Sequence, residues 1–285
     1  MWTACFITIA AALAVTAALL CWLFPRAERA RGALCFVMIL PMSWAMFHLV
    51  RRPADEWLAP MLGKTEGFWW LRMAYAPLTE EPAKLWPLLI PLVRRWITRE
   101  NIGRYALALG LGFATGEIFT VAGLVLEKQP QLAGMPWYML SGFIVERLMT
   151  CAIHPAMTSL ALHGWRRGAG FGVGLLAAMA AHFAGNFPIG MAQRGWLGHN
   201  AVVAQIVLSL WVLGCFVAAL AWLSWLLFGK QSLGLLVYGR ADCPECGQEY
   251  ERPLLLAANL GTRRYERCPH CRRWHWTIRK PPALG

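Results

Sequence analysis

Residues 200–228 read NAVVAQIVLSLWVLGCFVAALAWLSWLLF, without a single Asp, Glu, Lys or Arg. An α-helix rises ~1.5 Å per residue, so roughly 20 apolar residues cross the ~30 Å of hydrocarbon in a bilayer. In lipid such a segment must satisfy its backbone internally, which a helix does. The block therefore predicts a membrane-spanning helix. Similar blocks occur at 2–24, 33–50, 77–97, 101–126, 137–163 and 170–191, which makes the expected fold an all-α integral membrane bundle of about seven spans. Composition agrees: 58% of residues are hydrophobic and 15% charged, against ~25% charged in soluble domains. That balance excludes a water-soluble globule. Trp22, Trp57, Trp69, Trp70, Trp137, Trp165, Trp196 and Trp225 sit near block ends, where aromatic rings favour the membrane interface. The stretch 51–76 holds Glu56, Trp57, Phe68, Trp69 and Trp70 without a full-length apolar run, and is expected to be an interfacial loop, with an extra half-helix there as the alternative.

The formal net charge is +12. Its positive residues gather in short loops and in the tail, as membrane topology requires, so nucleic acid is not needed to explain them. With an outside N-terminus, the inside loops carry Arg26, Arg29, Arg31, Arg94, Arg95, Arg99, Arg104, Arg166 and Arg167, with Lys230 opening the tail. The outside loops carry fewer: Arg51, Arg52, Lys64, Arg72, Lys128 and Arg194. The expected topology is an outside N-terminus and a cytoplasmic C-terminus. Met1–Phe24 lacks a basic n-region and a small-residue cleavage site, and is read as a first span rather than a cleaved signal.

Two domains are expected, a membrane domain over 1–228 and a basic cytoplasmic tail over 229–285. Cys5, Cys21, Cys35, Cys151 and Cys215 are scattered through apolar segments, where Cys behaves as a small hydrophobe. The other four cluster as Cys243-Pro-Glu-Cys246 and Cys268-Pro-His-Cys271. Paired C-x-x-C turns can place four thiolates around one tetrahedral Zn²⁺, which predicts a small β zinc ribbon. Disulfides are disfavoured in a reducing compartment. So short a tail cannot bury a large core, and a structural Zn²⁺ is expected to supply most of its folding free energy. Arg263, Arg264, Arg267, Arg272, Arg273, Arg279 and Lys280 make it basic, which suits anionic lipid headgroups better than nucleic acid.

Ionisable residues inside spanning segments are costly and mark either function or a buried pair. Thr79-Glu80-Glu81-Pro82-Ala83-Lys84 is expected to start the third span, with both carboxylates at the positive end of the helix dipole and Glu80 one turn from Lys84. Taken alone, this is equally well a capped, ion-paired helix start. Glu117 lies deep in the fourth span with no local cation, and requires a partner from another helix. The fifth contributes Glu146, Arg147 and His154, in which Arg147 neutralises Glu146 or Glu117. The sixth contributes His182 and Asn186, four apart on one face. Together they offer a base, imidazoles and hydrogen-bond donors, the parts of a hydrolase. Gly112 and Gly116 have the spacing that lets helices approach closely. The run Gly168–Gly174 follows no strand, and reads as helix packing rather than a nucleotide loop.

At these residues the chain resembles the PrsW-like family of glutamic-type intramembrane proteases, within the wider group of CAAX-prenyl endopeptidases. The similarity rests on Glu80-Glu81-Pro-Ala-Lys84, Gly112-Phe-Ala-Thr-Gly-Glu117, Arg147 with His154-Pro-Ala-Met-Thr158, and His182-Phe-Ala-Gly-Asn186. It covers a core over about 77–190. The resemblance implies that Glu80 or Glu81 activates water for attack on a peptide bond, with Lys84 fixing the carboxylates. It further implies that His154 orients the base or the water, and that His182 and Asn186 stabilise the oxyanion. The implied substrate is a membrane-anchored protein, by family analogy an anti-sigma factor or another signalling protein, cleaved in a bacterial inner membrane. Glu117 stands where the CAAX enzymes have His, which leaves the water-activating pair open. The ribbon is no part of the shared core.

A Glu/His cluster also suits Zn²⁺, although the spacing is not the His-Glu-x-x-His of zincins. A metal-free glutamic mechanism is preferred at this level over a zinc-dependent metalloprotease. Beside both stand a non-catalytic scaffold or chaperone using the same residues as helix glue and a transporter using them as an ion path.

Overall fold

The computed structural model describes residues 1–63, 65–168, 170–198, 200–228, 240–251, 257–260 and 263–278. Lys64, Ala169, Lys230, Arg279 and Lys280, used in the sequence reading, lie outside them. The chain divides into two compact units, Met1–Leu223 and Ser224–Gly285.

The first unit is helical throughout. Its elements are α1 (Trp2–Leu23), α2 (Arg29–Ile39), α3 (Met42–Ala45), a π-helical turn (Met46–Arg51), α4 (Arg52–Leu62), α5 (Glu66–Lys84), α6 (Pro91–Trp96), α7 (Ile102–Lys128), α8 (Ser141–Arg167), α9 (Phe171–Gln193) and α10 (Ala201–Phe228), which ends in the second unit. Five helical stretches among the described residues are long and apolar enough to cross a membrane: Trp2–Leu23, Arg26–Leu62, Ile102–Lys128, Phe171–Gln193 and Val202–Leu227. The chain is a multi-pass membrane protein. The expected spans at 77–97 and 137–163 are not among these five. The second corresponds to α8, whose 27 residues include Glu146, Arg147 and His154.

Two expectations need correction. The stretch 51–76 is not a loop: α4 and most of α5 fill it, and α5 starts where Thr65 Oγ1 accepts the Phe68 N–H at 3.2 Å. Nor does a span run through 77–97. Pro87 and Pro91 lack the N–H that would continue α5, and the chain passes instead through a 3₁₀ turn (Trp86–Leu89) into α6. Glu80 and Glu81 thus occupy the last turns of α5, the negative end of its dipole. Their charge must be balanced by side chains.

The central helix is α7, buried along most of its length and packed against α1, α2, α3 and α8. Glycine permits this. A Cβ at Gly112 would lie 2.3 Å from Phe36 O, and one at Gly116 1.9 Å from Leu40 O, so the helix backbones touch there as the spacing predicted. A Cβ at Gly174 would meet Leu160 O at 2.8 Å, the packing role expected of that glycine run. α9 lies against α8 and α5.

In the second unit β1 (Arg240–Asp242) pairs antiparallel with β2 (Glu249–Glu251). A separate antiparallel sheet has the order β3 (Ala257–Leu260), β4 (Arg263–Arg267), β5 (Trp274–Ile278). Cys243 and Cys268 are buried with Ala241 and Tyr250 in a core too small to hold the unit by apolar burial alone.

Candidate active site

The four polar motifs meet between α5, α7, α8 and α9. From α5, Glu81 Oε1 accepts from Lys84 Nζ at 2.5 Å and lies 2.5 Å from His182 Nδ1 on α9. All three side chains are at most 5% exposed. The Glu80–Lys84 pair that the one-turn spacing allows does not form, because Lys84 turns to Glu81. Glu80 is held from outside its own helix by Arg51 at the end of the π-helical turn, with Nη2 2.8 Å from Oε1. Its second oxygen, Oε2, is buried without a hydrogen-bond partner and lies 3.8 Å from His182 Nε2.

Glu117, on α7, finds the partners from another helix that its burial demanded. His154 Nε2 is 2.8 Å and Arg147 Nη1 3.3 Å from Glu117 Oε2, both from α8. Arg147 also binds Glu146 through both carboxylate oxygens, so it serves both acids. The register of α7 on α8 follows from Gly110, where a Cβ would lie 2.3 Å from Pro155 Cα. Backbone contact at this point lets Glu117, two turns further along α7, reach His154. The His154 and His182 rings stand edge to face at 5.8 Å and join the two halves.

Beside them lies a cavity of about 70 Å³ lined by Glu117, Arg147, His154, His182 and Asn186, among others. All seven residues singled out as catalytic candidates, Glu80, Glu81, Lys84, Glu117, His154, His182 and Asn186, are therefore brought to one locus. Asn186 enters by lining the cavity, the other six by direct polar contacts. The sequence reading missed Arg51, which it assigned to an outside loop. The available signal was a basic residue directly abutting an apolar block.

A family model described as PrsW family intramembrane metalloprotease matches residues 29–214. The chain belongs to the PrsW family. It is an intramembrane protease, and its substrate is a protein of the bilayer. The match extends the 77–190 resemblance at both ends and takes in Arg51, while leaving the cysteine tail outside. No curated protein and no solved structure matches the chain.

A metalloprotease family raises the question of whether these residues suit a cation. One ligand atom from each of Glu80, Glu117 and His154 lies within 4.8 Å of the others, and Glu80 Oε2 has no competing protein partner. Two carboxylates and an imidazole form an ordinary donor set for a divalent metal. The PrsW site fits one.

A second cluster lies in the tail. The sulfurs of Cys243, Cys246, Cys268 and Cys271 fall within 4.8 Å of one another. Cys243 and Cys271 are 3.6 Å apart and Cys246 and Cys268 3.9 Å, close to the ~3.8 Å expected between thiolates on a tetrahedral Zn²⁺ with ~2.3 Å bonds. All four are free thiols. Burial raises the Cys243 thiol, but the backbone N–H groups of Cys246 and Glu245 outweigh it and bring it down to about 7. This four-cysteine cluster could hold a metal.

Proposed function

We propose that this PrsW protein is a metal-dependent endopeptidase in which Glu80, Glu117 and His154 hold a divalent cation beside a Glu81–His182 pair that carries the proton. One observation supports this above the others: potential ligand atoms of Glu80, Glu117 and His154, from three helices, lie within 4.8 Å of one another, and Glu80 Oε2 is buried without a hydrogen-bond partner. An unsatisfied buried acceptor costs ~1–3 kcal/mol, more when charged. A cation would remove that cost, and would supply Lewis acidity toward a carbonyl and activation of water.

The chain's own groups do the rest. Glu81 accepts the Nδ1–H of His182, which fixes the tautomer and leaves Nε2 turned toward Glu80. His182 Nε2 takes a proton from water as the oxygen attacks the peptide carbon. It returns that proton to the amine nitrogen as the C–N bond breaks. Lys84 balances Glu81, and Arg147 balances Glu117 and Glu146. The Asn186 amide donates to the carbonyl oxygen as negative charge develops there.

A second reading keeps the glutamic mechanism, with Glu80 or Glu81 as the base and no metal at the site. The tight Glu81–His182 contact favours it, since an oriented carboxylate–imidazole pair can serve as a base alone. The deciding experiment uses chain ending near residue 230, which lacks the tail cysteines, and a set of single-span reporters carrying a fluorescent protein on each side. Metal-dependent cleavage supports the first reading, and cleavage in chelator the second.

The tail is proposed to be a Zn²⁺ ribbon over 243–271, within a 229–285 domain on the cytoplasmic side, behind a 1–228 membrane domain whose N-terminus faces out. The loop charges support this orientation. The substrate proposed is a membrane-anchored signalling protein of a bacterial inner membrane, an anti-sigma factor by family analogy.

A further inference from the structure

A larger cavity, about 600 Å³, lies on the other side of Arg51. Its lining includes Arg51, Arg52, Asp55, Arg72, Tyr75 and Glu127, from α4, α5, α7 and the π-helical turn. The rim is exposed: the side chains of Arg52, Arg72 and Glu127 are 48%, 57% and 57% exposed. The inner end is not, since Arg51 is 18% and Glu80 2% exposed. Three buried polar atoms on this lining, Arg51 Nε, Asp55 Oδ1 and Tyr75 OH, have no protein hydrogen-bond partner. Polar atoms of this kind are satisfied by ordered water, and the volume holds on the order of ten molecules or more.

Arg51 stands between this cavity and the reaction. Its guanidinium binds Oε1 of Glu80 and leaves Oε2 turned to the site, while its own face rests on the Phe47 ring at 5.3 Å. The π-helical turn Met46–Arg51 is what aims it, since the extra residue in such a turn rotates the side chains at its end away from their α-helical direction. A second cation could have paired with Glu80 more simply from its own helix, but Lys84 is committed to Glu81.

We propose that the cavity is the water-filled antechamber through which hydrolytic water reaches the PrsW site, and that Arg51 is the positioning residue at its inner end, orienting Glu80. The proposal rests on the site reading above. Hydrolysis consumes one water per peptide bond, and a site buried among helices requires a polar route to bulk solvent. The inner end of that route is the contact that sets the direction of Glu80 Oε2.

The test uses full-length protein reconstituted in phosphatidylcholine/phosphatidylglycerol vesicles. Tyr75→Cys is labelled with a small charged methanethiosulfonate and read by mass spectrometry, with Glu66→Cys, outside the cavity, as the exposed control and Thr120→Cys as the buried one. Labelling of Tyr75→Cys within about tenfold of the exposed control is expected. A rate equal to the buried control overturns the antechamber, whether or not any reporter is cleaved. In parallel, Arg51→Met and Arg51→Lys are assayed on the best-cleaved single-span reporter. The expectation is a kcat loss on the order of 10²–10³-fold for Met, partial rescue by Lys, and KM within twofold of wild type. Unchanged kcat, or a raised KM alone, overturns the positioning role. Absence of cleavage by wild type counts against the protease chemistry proposed above, and leaves the labelling result to decide the cavity.

Discussion

His182 Nδ1 lies 2.5 Å from Glu81 Oε1, although 101 residues separate the two in sequence. The contact ties α9 to the end of α5, and the same oxygen holds Lys84, which is fully buried. Glu81→Gln leaves that ammonium without its counter-charge. Removing one partner of a buried pair costs about 3–5 kcal/mol, so Glu81→Gln is expected to lower the thermal midpoint in detergent markedly, and Glu81→Gln/Lys84→Met to recover most of the loss. Equal destabilisation by the single and double variants contradicts the pairing.

The chemical roles separate by magnitude. His182→Ala removes the proton carrier and should abolish reporter cleavage, as should His154→Ala. Asn186→Ala removes one oxyanion donor and should cost on the order of 10²–10³-fold in kcat. Initial rates on the single-span reporter make the comparison, and an Asn186 loss as complete as that of His182 would assign it a different role.

Glycine substitutions test the close approach of α7 and α8. A Cβ at Gly110 falls 2.3 Å from Pro155 Cα, next to His154. Overpacking of this kind costs about 1–3 kcal/mol, so Gly110→Ala should be destabilised and poorly active. Gly123, on the same helix, has nothing within 4 Å of an added Cβ, and Gly123→Ala should gain about 0.5–1 kcal/mol from helix propensity. Thermal unfolding of both variants checks the sign.

In the tail, one Zn²⁺ per chain is expected on Cys243, Cys246, Cys268 and Cys271, with Cys268→Ser abolishing it. Only thiolates bind the metal, so protons compete with it. Cys243 is drawn down to about 7 but Cys271 is pushed up to about 11, so protons still compete with the metal across neutral pH and affinity is expected to fall steadily as pH drops from 8 to 5. A zinc titration at stepped pH reads this directly, and an affinity flat from pH 8 to 5 contradicts it.

The convergence was legible because Glu80, Glu81, Lys84, Glu117, His154, His182 and Asn186 are ionisable or strongly polar groups in apolar surroundings, where each requires a partner. Their convergence follows from that requirement. The clustering of the four tail cysteines was legible from knuckle spacing. Arg51 was not, and neither was the direction of α5. Averaged hydropathy favours 77–97 over 66–84, yet Thr65 caps the helix and Pro87 ends it, so local backbone chemistry overrode the apolar run. Nothing in Met46–Arg51 marks a π-helical turn, and without it Arg51 reads as a loop cation. The Glu80–Lys84 pairing failed for a related reason: i,i+4 spacing permits a contact, but His182 from α9 draws Glu81 to the position where Lys84 completes it.

Metal content measured alongside cleavage decides whether a cation sits among Glu80, Glu117 and His154. Full-length protein, Glu80→Gln and His154→Ala are purified, metal is counted per chain by mass spectrometry, and each is assayed on the single-span reporter before and after exhaustive chelation. Two ions are expected in wild type and one in each variant, with wild-type cleavage that stops on chelation and returns with added divalent metal. One ion in all three, with wild type still cleaving after chelation, would contradict the cation site and establish the metal-free glutamic mechanism instead.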